Sequence, residues 1–126
     1  MPEPAELLQA GEDASESAHL LFEAGRWADA ISRAYYAMLY AARGLLASVG
    51  RSPKTHRGTV TLLQEHFVKT GGFPSEVAKL LPGAMAFRER ADYGARTHLS
   101  KEDARRTIEA AERFLATARE VLRRPR

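Results

Sequence analysis

The sequence predicts an all-α protein, an antiparallel up-and-down four-helix bundle with a short additional helix. Three observations lead there. No stretch alternates apolar and polar residues as a half-buried strand does. Glycine and proline cut the 126 residues into pieces of helical length. The last piece carries an apolar seam at Ala104, Ile108, Ala111, Leu115, Ala118 and Leu122, stepping by four and three residues, the spacing of a helix packed at a shallow angle. The length and a 44% hydrophobic content suit one domain over 1–126 with one ordinary core.

The first helix follows Pro2 and Pro4 and runs to Gly25, with Leu7, Ala14, Ala18, Leu21 and Phe22 on one stripe and Glu12, Asp13, Glu16 and Glu23 mostly off it. The second runs from Trp27 or Asp29 to Val49 and stops at Gly50. Ile31, Tyr35, Met38, Ala42, Leu46 and Val49 form its apolar stripe. Arg33, Tyr36, Ala37, Tyr40 and Gly44 form another, so this helix is either central or presents its second side to a partner. Pro53 biases Ser52 away from helix, and Thr55 is placed to cap a short third helix that buries Val60, Leu63 and Phe67 before Gly71-Gly72. Ser75 is the expected N-cap of the next segment. That segment carries Val77, Leu80, Leu81, Ala84 and Phe87 towards Tyr93-Gly94, and Pro82-Gly83 predicts a kink or a division into two shorter helices. Ser100, Glu102 and Asp103 make a negative start for the last helix, and Arg123, Arg124 and Arg126 complement its other end.

Composition excludes several kinds of chemistry. With zero cysteines there is no disulfide framework, thiolate zinc site or cysteine nucleophile. No apolar run approaches the roughly 20 residues of a membrane span, and the acidic beginning lacks the marks of a secretory signal, so a cytoplasmic protein is expected. The net charge of +3 hides an asymmetry: residues 1–25 carry six acids and no Lys or Arg, leaving 19 bases against 10 acids in the rest. A basic body can hold a phosphate-bearing partner, although the acidic helix could equally neutralise it. Fifteen of the 19 bases are Arg and no Asn is present, which suits a hot-growing host or an Arg-rich genome equally.

Of the four histidines, only His19 has a Glu three residues before it, whereas a ferritin-like di-iron bundle needs two such pairs and two more glutamates. No metal or cofactor is expected. Gly71-Gly72 lacks the Lys-Ser/Thr of a phosphate loop, and no serine sits in an elbow motif. The candidate binding residues lie elsewhere. Arg33, Tyr36, Tyr40 and Arg43 recur at three, four and three residues along the second helix, a strip able to hold phosphate and a stacked base. The alternative is that these tyrosines pack in the core with their hydroxyls satisfied. Arg88, Arg90, Asp92 and Tyr93 close the fourth segment, with Arg88 and Asp92 one turn apart and able to pair.

Three passages resemble the HEPN family, and its small single-domain prokaryotic branch most closely. They are Ser32-Arg33-Ala34-Tyr35-Tyr36-Ala37-Met38 with Ala41-Ala42; Pro53-Lys54-Thr55-His56-Arg57-Gly58 with Phe67-Val68-Lys69-Thr70-Gly71; and Arg88-Glu89-Arg90-Ala91-Asp92-Tyr93. The resemblance implies an up-and-down bundle, a homodimer, and association with nucleotides or RNA or with a minimal nucleotidyltransferase, often in toxin–antitoxin or defence systems. Its active members resemble metal-independent endoribonucleases that use an Arg, four to six residues, then a His near the start of the last helix. This sequence departs from that pattern. Four residues after Arg88 the next is Tyr93, and seven lie between Arg90 and His98, which leaves Arg90 and His98 as the weaker catalytic candidates. Arg51 and His56 match the spacing but lie in the turn before the third helix, not where the pattern belongs. A third expectation is purely structural, with the seam of the last helix joining subunits.

Overall fold

The computed structural model describes residues 2–93 and 98–124, whose regular structure is all helical, with no strand among them. Four long helices, α1 (Pro4–Glu23), α2 (Trp27–Ala47), α5 (Leu80–Tyr93) and α6 (Lys101–Arg123), form the bundle. Two short ones, α3 (His56–Leu63) and α4 (Ser75–Ala78), lie in the connection between α2 and α5.

The expected two-sidedness of α2 is answered by its position at the centre. It packs against α1, α3, α5 and α6, and thirteen of its residues are buried, from Ala28 to Leu46. Small residues let its neighbours approach closely. A Cβ placed on Gly11 of α1 would lie 2.8 Å from the Ala37 carbonyl oxygen and 3.0 Å from Leu115 Cδ2, so α1, α2 and α6 meet at a point that only glycine allows. The α1–α2 and α2–α3 turns each pass through a glycine in the left-handed region, Gly25 (φ 76°) and Gly50 (φ 77°), as expected of residues that stop helices.

The seam of α6 is spent inside the chain. Ala104, Ile108, Ala111, Leu115 and Ala118 are all buried among the core residues, and Phe114 stacks on Phe73 at 5.1 Å between ring centroids. These five residues of the seam are therefore not free to join subunits, whereas Leu122 at its end is half-buried. On its outer side α6 is tied to α1 by the ion pair of Arg119 with Glu12 and by a hydrogen bond between His19 Nε2 and Glu112 Oε2 at 3.0 Å.

Local expectations hold where side chains dictate them. The Thr55 hydroxyl accepts from Gly58 N at 2.8 Å, and Ser100 with Asp103 forms a capping box. Ser75 is not a cap: Pro74 occupies that position and Ser75 begins the helix. The division around Pro82 occurs at Lys79. Pro82 then falls in the first turn of α5, where a missing N–H is no loss because that donor has no intrahelical acceptor. The third helix leaves regular α geometry after Leu63 and continues as a π turn, Gln64–Val68, closed by Lys69 N to the Gln64 carbonyl at 3.0 Å. Gly94 and Arg126, expected as a helix stop and a helix-end cation, lie outside the described residues.

Candidate functional site

The meeting of α2, α5 and the start of α3 concentrates the polar aromatic chemistry. Arg88 reaches from α5 onto α2, where its Nη2 donates to the Tyr36 hydroxyl at 3.1 Å. Its Nε lies 2.8 Å from Asp92 Oδ2, an ion pair one helical turn apart with side chains only 19% and 29% exposed. The other carboxylate oxygen, Asp92 Oδ1, accepts from Ser32 Oγ at 3.2 Å, which fastens the end of α5 to α2. The guanidinium carbon stands 5.4 Å from the Tyr36 ring centre and 5.8 Å from that of Tyr35, within cation–π range of both.

His56, the first residue of α3, completes the group. Its ring lies 5.6 Å from Tyr35 and 5.8 Å from Tyr36, edge-on to the latter. Tyr40 follows on α2 at 6.1 Å from Tyr36. Burial together with the positive charges of Arg43 and Arg88 holds the His56 imidazole below its ordinary pKa of 6.5, so the ring is neutral at pH 7. Burial pushes the Tyr35 phenol up to about 12, against an opposing pull from Arg88. Among the described residues the Tyr35 hydroxyl, Arg43 Nε and Arg88 Nε, all out of contact with water, have no hydrogen-bond partner, the last facing Asp92 as an ion pair alone. Tyr36, Tyr40, Arg43 and His56 are half-buried, so the group opens to solvent although Tyr35 beneath it does not.

Of the residues singled out in the sequence, the structure brings together Tyr36, Tyr40, Arg88 and Asp92. Arg33, one turn before Tyr36, is half-buried and takes no part in these contacts among the described residues. Arg90 points elsewhere, its guanidinium 5.4 Å over the ring of Phe87. The reason is geometric: two residues along a helix turn through about 200°, so Arg88 and Arg90 cannot both face α2. Tyr93 is 79% exposed. His98 is exposed just before α6, and no hydrogen bond joins it to Arg90 among the described residues. His56 and Tyr35 are the residues that sequence reasoning misses. The available signal for His56 is the Arg51–His56 spacing, which falls in a turn, and that turn folds back onto α2. Tyr35 belongs to the core stripe, as expected, but its ring also floors the cluster.

A helical bundle with an Arg–Tyr–Asp cluster between its second and penultimate long helices is the fold and the candidate site that any related protein has to share. The HEPN domain description matches residues 5–121, and the chain belongs to the HEPN family. It is 35% identical over 122 residues to a UPF0332 protein of Gloeobacter violaceus, covering 96% of this chain and 97% of that one. It is 37% identical over 105 residues to a UPF0332 protein of Archaeoglobus fulgidus, covering 83% of each. A relative from Methanocaldococcus jannaschii carries the name "Putative toxin MJ0142" and is 28% identical over 116 residues, 92% of this chain and 79% of that protein. The solved structure of TT1696 from Thermus thermophilus superposes with a TM-score of 0.83 over 96% of this chain and 99% of its own, at 18% identity, a likeness of fold. No helix among the described residues is long and apolar enough to cross a membrane.

Proposed function

We propose that this HEPN protein is a non-catalytic module that binds the phosphate of a nucleotide or RNA at the α2–α5 cluster. The observation that carries the reading is the placement of Arg88 against two tyrosine rings, with Arg43 acting on the same neutral His56. Arg88 and Arg43 face two carboxylates, Asp92 paired with Arg88 and Glu89 acting on Tyr35, so the group carries two charges of each sign. Arg43 makes no ion pair among the described residues, and Arg88 spends its Nη2 bond on a neutral phenol. An incoming phosphate gains two guanidiniums and loses little, while Tyr36 and Tyr40 offer ring faces to a base. A toxin-related role in a two-component system, acting in the cytoplasm as a homodimer beside a minimal nucleotidyltransferase, extends the same reading. The toxin-related part is supported by two Methanocaldococcus jannaschii relatives that carry the names "Putative toxin MJ0142" and "Putative toxin MJ0605".

The test is titration of labelled nucleotides and short RNA at two salt concentrations. The expected result is salt-sensitive binding that Tyr36→Phe weakens and Arg88→Met abolishes. Absence of binding to every probe refutes the phosphate reading. Co-purification with an adjacent nucleotidyltransferase and the solution mass test the partner and the dimer separately.

A further inference from the structure

A second cationic site lies at the other end of the same strip of α2. Between the beginning of α1, the last turn of α2 and the turn that follows is a cavity of about 360 Å³, lined by Arg43, Arg51 and Lys54 together with Ser52. Three cations line it and no carboxylate does among the described residues. None of the three makes an ion pair among those residues, and Arg43 Nε is shut off from water without a partner. The carboxylate of Glu6 at the start of α1 is engaged, its Oε1 accepting from Glu3 N at 3.3 Å. Three cations lining one concavity, none of them in an ion pair among the described residues, favour an anion there.

Arg43 belongs to both places: it lines this cavity and is one of the two charges acting on His56 in the cluster. From Tyr36 to Ala47, which also lines the cavity, α2 rises about 16 Å at 1.5 Å per residue. One phosphate cannot touch both ends of that span, whereas successive phosphates of a strand can.

We infer that the Arg43–Arg51–Lys54 cavity is a second phosphate subsite, continuous with the α2–α5 cluster, and that the ligand is a single-stranded oligonucleotide instead of a mononucleotide. This rests on the phosphate-binding reading above and sharpens it. The chain path adds to it. Residues 51–54 stand one residue before His56, so the turn that carries two of the cations also delivers the imidazole to Tyr35 and Tyr36. A strand bound along α2 would contact both ends of that one turn.

The probes are 5′-AMP and a single-stranded hexaadenylate, each titrated at two salt concentrations against the full chain and against the double variant Arg51→Gln/Lys54→Gln. Both positions are exposed, and matching unfolding curves establish that the variant is folded. The double variant is expected to bind AMP as the parent does and to bind the hexamer about tenfold more weakly. Its logarithmic salt slope should be shallower by about 1.4, the share of two single-strand phosphate contacts. Arg51→Lys/Lys54→Arg should restore slope and affinity. A hexamer slope unchanged by the double variant overturns the subsite, as does an equal loss for AMP and hexamer. If the parent chain binds neither probe, the phosphate reading itself fails, which is a distinguishable result.

Discussion

Replacing Arg88 by methionine removes the charge on which the α2–α5 junction is built while keeping a side chain that can lie over the same rings. Three interactions go. The hydrogen bond from a charged donor to the Tyr36 hydroxyl is worth about 1.5–3 kcal/mol. The ion pair with Asp92 would contribute about 0.3–0.5 kcal/mol if fully exposed, and more here because the partners are only 19% and 29% exposed. The cation–π contacts to Tyr35 and Tyr36 add about 0.5–1 kcal/mol each. Against these stand the relief of holding a guanidinium away from water and new sulfur–aromatic contacts of about 0.3–1.5 kcal/mol. The balance is a loss of about 2 kcal/mol, a large part of the stability of a domain this size. Urea unfolding followed by far-ultraviolet circular dichroism measures it. Asp92→Asn should cost about 1 kcal/mol, and the double variant should fall short of the sum by about 1 kcal/mol because the pair is then absent in both. The same two variants move ligand binding in opposite directions: Arg88→Met abolishes it, whereas Asp92→Asn, by freeing the guanidinium, tightens it. Strictly additive stabilities, or tighter binding absent in Asp92→Asn, would refute the view of Arg88 as a guanidinium shared between a carboxylate and a phosphate.

Three further outcomes are expected. His56 titrates below its ordinary 6.5 in the folded chain, so the unfolded chain takes up its proton first as pH falls. Stability should therefore be fully present above pH 6.5 and decline below it, levelling once the folded imidazole also titrates, and His56→Gln should flatten that slope in a pH series of denaturation midpoints. For Tyr35, raised to about 12, the contribution is complete below about pH 10 and lost as pH rises through about 12. Tyr35→Phe should remove this alkaline loss and leave neutral-pH stability unchanged or higher by up to about 1 kcal/mol, since the hydroxyl it deletes has no partner; a clear destabilisation would reveal one. Gly11→Ala forces a methyl against the Ala37 carbonyl oxygen at 2.8 Å. A packing penalty of about 1–3 kcal/mol, offset by the roughly 1 kcal/mol helical advantage of Ala over Gly, should lower thermal stability by about 1–2 kcal/mol.

The bundle was legible because its signals are local and periodic. The stepping of Ala104, Ile108, Ala111, Leu115 and Ala118 fixes one face of α6 before any neighbour is known, and all five are buried. Caps at Thr55 and Ser100 are read from side chains that hydrogen-bond within three residues. The π turn at Gln64–Val68 was not legible, since widening one turn changes no residue type and is recognised only from which carbonyl Lys69 N selects. Ser75 misled for a related reason: a residue that caps well also sits comfortably in a first turn, and Pro74 already supplied the extended backbone that a cap position needs.

The site was half legible, and the division follows from what helical spacing can encode. Spacing of four correctly paired Arg88 with Asp92 and Tyr36 with Tyr40, because both partners share a helix. It gave no means of choosing between Arg88 and Arg90, which needs the direction of α2 as seen from α5. Only Arg88 lies on the side where Ala84 and Ala91 are buried against the bundle, while Arg90 lies with Phe87. His56 illustrates the remaining gap. Its approach to Tyr35 and Tyr36 depends on a turn of the chain after Gly50 and not on any period, so a motif match at that position carries no weight until the turn is seen to return to α2. The same turn sets Arg51 and Lys54 beside Arg43. The charge of the site is thus assembled from one periodic source, the half-buried strip of α2, and one aperiodic source, the loop that follows it. A ligand that needs both must be long enough to follow the helix from Tyr36 to the loop.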